Sequence, residues 1–99
     1  MNDAGSSEVL RLEGMLSYET IPAILEQTTQ FAARTDLPPV IRIDFAGVTG
    51  VDSAAVALLL EWRREAFARG KKLVFENLPA NLLALAALYG VADLVQPDA

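Results

Sequence analysis

Residues 41–60, IRIDFAGVTGVDSAAVALLL, decide the fold. Alternating Val40, Ile41, Arg42, Ile43, Asp44 and Phe45 give the apolar period of a central strand, and β-branched residues favour it. A glycine-bearing turn, GVTG, then leads to Asp52 and Ser53, and a run of Ala, Val and Leu starts a helix at once. The chain therefore passes from buried strand to helix with one hydroxyl at the helix mouth. The first N–H groups of a helix lack intrahelical acceptors and carry the positive end of its dipole. Ser53 there suits a helix cap, a contact point or a phosphate acceptor, and the sequence leaves all three open.

Outward from this stretch the same rhythm repeats. The helix runs over 53–69 and stops at Gly70, which readily takes the left-handed conformation that closes helices. A strand follows at 73–75. Asn77, Leu78, Pro79 and Ala80 form a turn into a third helix that continues to Leu88 or Tyr89 and stops at Gly90, and 94–95 reads as a last short strand. Upstream, 9–12 reads as a strand, Gly14 permits a turn or bulge, and 15–17 is expected to return as a second short strand. Helical spacing then places Ile21, Ile24, Leu25, Thr28, Phe31 and Ala32 on one face, with Pro22 in the first turn and an end near Arg34. Asp36, Leu37, Pro38 and Pro39 connect it to the central strand. The class is α/β, a mixed sheet covered by about three helices. Residues 1–7 are small and polar and read as a disordered leader, so the single domain is assigned to 8–99.

Composition excludes most chemistry. A chain of 99 residues, 53% apolar, builds one core and no second domain. It has no Cys and no His, which removes the usual zinc sites, thiol nucleophiles and imidazole bases, so an enzyme is not expected. Thirteen acidic against eight basic residues give a net charge of −5, unsuited to nucleic acid or anionic lipid. The start, MNDAGSSEV, has no signal-peptide pattern, and no apolar run approaches the roughly 18 residues of a membrane span. The expected location is cytoplasmic, without membrane insertion. Asp44 and Asp52 lack a partner for catalysis and read as turn formers. GVTG fits neither GxGxxG nor GxxxxGK[ST], and no cofactor or metal is expected.

Within the second helix, Ala55, Leu59, Trp62 and Ala66 form the core line with Val56 and Phe67 beside it, and Leu58 falls toward an edge. Ala57, Leu60 and Arg64 lie on the side of Ser53 and make the patch nominated for a protein partner. The third helix is unusual in carrying no charge from Leu78 to Ala92. Leu82, Leu85, Ala86 and Tyr89 suffice as its inward stripe, which leaves apolar surface for a homodimer or another contact.

Two stretches, VDSAAVALLLEW and NLPANLLALAALYGVADLV, resemble the STAS domain family, in particular its MlaB branch. GMLSYETIPAIL and IRIDFAGVTGVDS are similar to the family's Gly-x-Leu and Asp-Ser/Thr segments. The resemblance implies the SpoIIAA-like fold and a non-enzymatic subunit that binds the cytoplasmic ATPase, MlaF-like, of a Gram-negative phospholipid-transport ABC complex, peripheral to the inner membrane. It implies contact through Asp52, Ser53, Ala54 and the helix that follows. In the related anti-sigma factor antagonists the equivalent Ser is phosphorylated, which makes Ser53 the candidate phosphosite. Ala54 and Ala55 stand where many relatives carry Gly after the hydroxyl residue, and the added methyl groups restrict close approach there.

Overall fold

The computed structural model describes residues 7–95. Strand β1 spans Ser7–Leu16, helix α1 Ile21–Ala32, β2 Val40–Val51, α2 Ser53–Ala68, β3 Lys72–Glu76, α3 Ala80–Leu88 and α4 Ala92–Val95. The leader assigned to 1–7 lies outside the described residues except for Ser7, which already belongs to β1, and 96–99 of the expected domain lie outside them as well.

The strands are ordered β1-β2-β3, and both described pairings are parallel. The α/β class is as expected, but the sheet is parallel where a mixed one was anticipated. The cause is that a helix intervenes in each connection, which returns the next strand in the same direction. Two other differences have one origin in backbone hydrogen bonding. β1 does not turn back at Gly14; it continues to Leu16 with register shifts after Arg11 and after Gly14. Likewise GVTG is no loop but the second half of β2, kept in the sheet by pairing with that extension of β1. Gly47 makes the pairing feasible, since a Cβ there would meet the Leu12 carbonyl oxygen at 2.9 Å.

Alternation along the strands divides the sheet into two faces. Leu12 and Leu16, Ile41, Ile43 and Phe45, and Leu73 are buried under the helices. The other face is polar, with Arg42 Nε donating to Glu76 at 2.7 Å and Arg11 lying 3.7 Å from Asp44. α2 supplies the centre of the core through Ala55, Val56, Leu58, Leu59 and Trp62. The Trp62 indole N–H finds an acceptor in Thr28 Oγ1 at 3.3 Å, so the ring is buried without an orphaned donor. Leu58 is buried instead of lying at an edge because α3 and α4 pack against α2. Phe67, expected beside the core, is 85% exposed; five residues beyond Trp62 it points about 140° away around the helix.

α2 and α3 both close with a Schellman motif. Gly70 (φ 72°) donates to Phe67 O while Lys71 N donates to Ala66 O, and Gly90 (φ 73°) and Val91 repeat this on Ala87 and Ala86. The second closure redirects the chain, so 92–95 coils into α4 where a strand was expected at its end. Val95 from α4 is fully buried, and Tyr89, expected inward, becomes the half-exposed C-cap of α3. Leu82 and Ala86 carry the inward stripe.

Candidate functional site

The end of β2 and the start of α2 form a corner built around Asp52. Its backbone is extended (φ −129°), and its Oδ1 accepts from Ala54 N at 2.9 Å, which makes Asp52 the N-cap of α2. Ser53, weighed as the cap from sequence, is the first helical residue instead. Two adjacent residues both suit a cap, and the one with extended backbone takes it. The consequence is that the Ser53 side chain is exposed and has no capping duty.

Asp52 also ties the corner to the preceding crossover. Its N–H donates to Leu16 O at 3.1 Å, and its Oδ2 accepts from Tyr18 N at 3.1 Å. The turn after β1 is itself knotted by Thr20, whose Oγ1 accepts from Ser17 N at 2.9 Å and donates to Met15 O at 2.8 Å. Tyr18 is 69% exposed and Met15 51% exposed, so two large apolar side chains stand at this corner. Sequence reasoning did not include them. The sequence suggested a turn or bulge at Gly14 and a return strand over 15–17, and the meeting of Tyr18 with Asp52 spans 34 positions.

On α2, Ser53, Ala57, Leu60 and Arg64 fall within about 60° of arc at 100° per residue. Ser53, Ala57 and Arg64 are exposed, Ala54 is half-buried, and Leu60 is half-buried against the core. The Arg64 guanidinium is paired with Glu61, which raises its pKa above the ordinary value. An exposed pair of this kind contributes little to stability. It also leaves the corner without strong net positive charge.

Asp44, expected in a turn, lies inside β2 instead, paired with Arg11 and Glu76 just before the register shift, because β1 and β3 extend alongside it. Its carboxylate accepts from Asn77 Nδ2 at 2.8 Å and from Ala46 N at 2.9 Å, and these bonds with the Arg11 charge hold its pKa below the usual carboxylate range. Asp44 and Asp52 thus each spend an oxygen on a backbone N–H two residues on, Asp52 as the cap of α2 and Asp44 within the strand at the register shift. Among the described residues no group of three or more acidic side chains is placed to hold a metal. No helix among them is long and apolar enough to cross a membrane.

The sequence profile of the family described as "Mlab, STAS domain" matches residues 1–96. The chain belongs to the STAS domain family. Members of this family generally serve as regulatory or interaction domains. Among solved structures, a sulfate transporter family protein from Wolinella succinogenes aligns with a TM-score of 0.72 at 14% identity, over 91% of this chain and 71% of that one. The anti-sigma factor antagonist SpoIIAA in its unphosphorylated form aligns with a TM-score of 0.68 at 21% identity, over 100% of this chain and 84% of its own. These likenesses establish the SpoIIAA-like STAS fold. No curated protein sequence matches the chain.

Proposed function

We propose that this STAS domain is a docking subunit that binds the cytoplasmic, MlaF-like ATPase of a phospholipid-transport ABC complex, and that the Asp52–Ser53 corner and the exposed face of α2 form the contact. The observation that carries the proposal is that Asp52 does the capping, which leaves the Ser53 hydroxyl free on the same exposed face of α2 as Ala57. The match to the Mlab STAS family over residues 1–96 supports the transporter as the setting. In such a complex the domain sits in the cytoplasm, held at the inner membrane by its partner. The chemistry is that of an interface: small side chains allow close approach, and Tyr18 and Met15 supply apolar area at the rim. Docking changes ATPase activity only so far as the domain binds two ATPase conformations with different affinity; equal affinity aids assembly alone.

Copurification with the ATPase tests the contact. Ser53→Arg and Ala57→Glu place a long or charged side chain in the interface without touching the core, and each is expected to abolish capture. A folded variant that still copurifies undiminished rejects this surface.

A phospho-switch of the anti-sigma antagonist kind is the second proposal, favoured by the exposed Ser53 hydroxyl at the positive end of α2. The neighbouring Asp52 carboxylate opposes it by like-charge repulsion. Phosphate found on Ser53 by mass spectrometry of protein from cells selects this alternative, and its absence under all growth conditions rejects it.

A further inference from the structure

Along the C-terminal half of α2, starting about 12 Å from Ser53 at 1.5 Å per residue, α1 stands off from α2 and the sheet. The gap is a cleft of about 440 Å³. That volume lies within the range of small-molecule sites. Its floor is Leu10, Ile41, Ile43 and Leu73 of the sheet, and its walls include Trp62 of α2 and Phe31 of α1. The two buried polar groups inside are already satisfied. Trp62 Nε1 donates to Thr28 Oγ1, and the Thr28 hydroxyl donates to Leu25 O at 3.1 Å. The other hydroxyls of the lining, Thr29 and Thr35, belong to exposed residues, so the buried part offers a guest little hydrogen bonding and an aliphatic chain matches its surface.

The mouth has a different character. Arg34, Arg69 and Lys71 ring it, opposed by Glu61 and Glu65. Arg34 is committed to Glu8 and Asp36, and Arg69 lies 3.9 Å from Glu65 and donates to Ala32 O at 3.0 Å. Lys71 differs. It is half-buried, donates to the Leu37 carbonyl at 2.9 Å, and has no carboxylate partner among the described residues. An ammonium that keeps two N–H donors while partly withdrawn from water is a seat for an anionic oxygen. From the apolar floor and this one uncompensated cation we infer that the α1–α2 cleft binds a single-chain amphiphile with an anionic head, of the fatty-acid class, its chain over Trp62 and its head on Lys71.

Trp62 is the sole tryptophan of the chain, so its emission reports the cleft directly. The full chain is titrated with dodecanoate below its micelle-forming concentration, with dodecanol and with vesicles containing anionic phospholipid as parallel arms. Dodecanoate is expected to produce a saturable change in emission, with amide shifts at Leu10, Ile43 and Leu73. Loss of a hydrogen bond to a charged group at Lys71→Met should weaken dodecanoate about tenfold or more while leaving dodecanol unchanged. Ala66→Leu, which narrows the cleft from α2, should block both. No saturable response, equal affinity in Lys71→Met, or a response to vesicles alone overturns the inference.

Discussion

The Asp52 carboxylate holds two backbone donors from different parts of the chain, Ala54 N at 2.9 Å within its own helix and Tyr18 N at 3.1 Å from the turn after β1. One side chain thus fixes where α2 begins and how the Tyr18 turn lies against it. If the corner is a contact surface, Asp52 sets its shape from beneath and Ser53, Ala57 and Tyr18 present it.

Replacing Asp52 should separate these two duties. Loss of a helix cap costs about 1 kcal/mol, and loss of the Tyr18 hydrogen bond about 1 kcal/mol more. Asp52→Ala is expected to lower unfolding stability by the sum, whereas Asp52→Ser, which keeps a cap acceptor but cannot reach Tyr18, should lose about half. Urea unfolding midpoints measure both, and a Ser variant as stable as the parent would show the Tyr18 bond to be dispensable.

Asp44 gives the protein a defined acid sensitivity. The Asn77 amide, the Ala46 N–H and Arg11 depress its folded pKa, while in the unfolded chain it returns to the ordinary value near 3.8. A carboxyl depressed on folding stabilises the native state above its unfolded pKa, and that contribution drains away as pH falls through the folded value. Stability should therefore decline below about pH 4. Asp36, depressed chiefly by its hydrogen bonds to Arg34, adds to the same decline. The difference between the parent and Asp44→Asn isolates Asp44: the variant's melting temperature should fall less steeply over that window, and parallel curves would refute the assignment.

Thr28 and Trp62 form a pair whose members are worth more together than apart. Thr28→Val keeps the shape of the buried side chain but strips the acceptor from the indole, leaving a buried donor unmade at a cost of about 1–3 kcal/mol. Adding Trp62→Phe removes the orphaned donor. The double variant should then be more stable than the two single losses sum to, by about 0.5 kcal/mol or more. Strict additivity in denaturant unfolding would mean that the 3.3 Å bond contributes nothing.

Gly47 should resist substitution by a residue as small as Ala. The added methyl would sit 2.9 Å from the Leu12 carbonyl oxygen, a backbone atom held in the β1–β2 pairing. Crowding of this kind costs about 1–3 kcal/mol. Chemical denaturation of Gly47→Ala measures it, and a neutral substitution would show that the strand pairing yields readily.

Local pattern was sufficient for much of the molecule. The helix over 53–68, its stop at Gly70, the strand around Ile43, and burial of Leu59 and Trp62 follow from residue periods and turn chemistry that neighbouring positions share. That Ser53, Ala57, Leu60 and Arg64 share one side of α2 was legible for the same reason, because positions four and seven apart on a helix lie together whatever the rest of the chain does. Other features depended on partners distant in sequence. GVTG joins β2 only because β1 extends alongside it, residues 92–95 coil into α4 because Val95 fills the space beside α2, and Tyr18 reaches the Ser53 corner through a bond to Asp52. Likewise the cleft behind Trp62 exists only where α1 stops short of filling the space over the sheet. Sequence by itself determined α1, α2, α3, the first half of β2, β3 and the face that α2 shows; tertiary packing decided how far β1 and β2 run, that 92–95 is a helix, which polar side chain caps, which apolar ones stay in water, and where a cavity remains. The physical reason is that periodicity acts over a few residues, whereas burial and hydrogen-bond satisfaction are settled among groups that only the fold brings within reach.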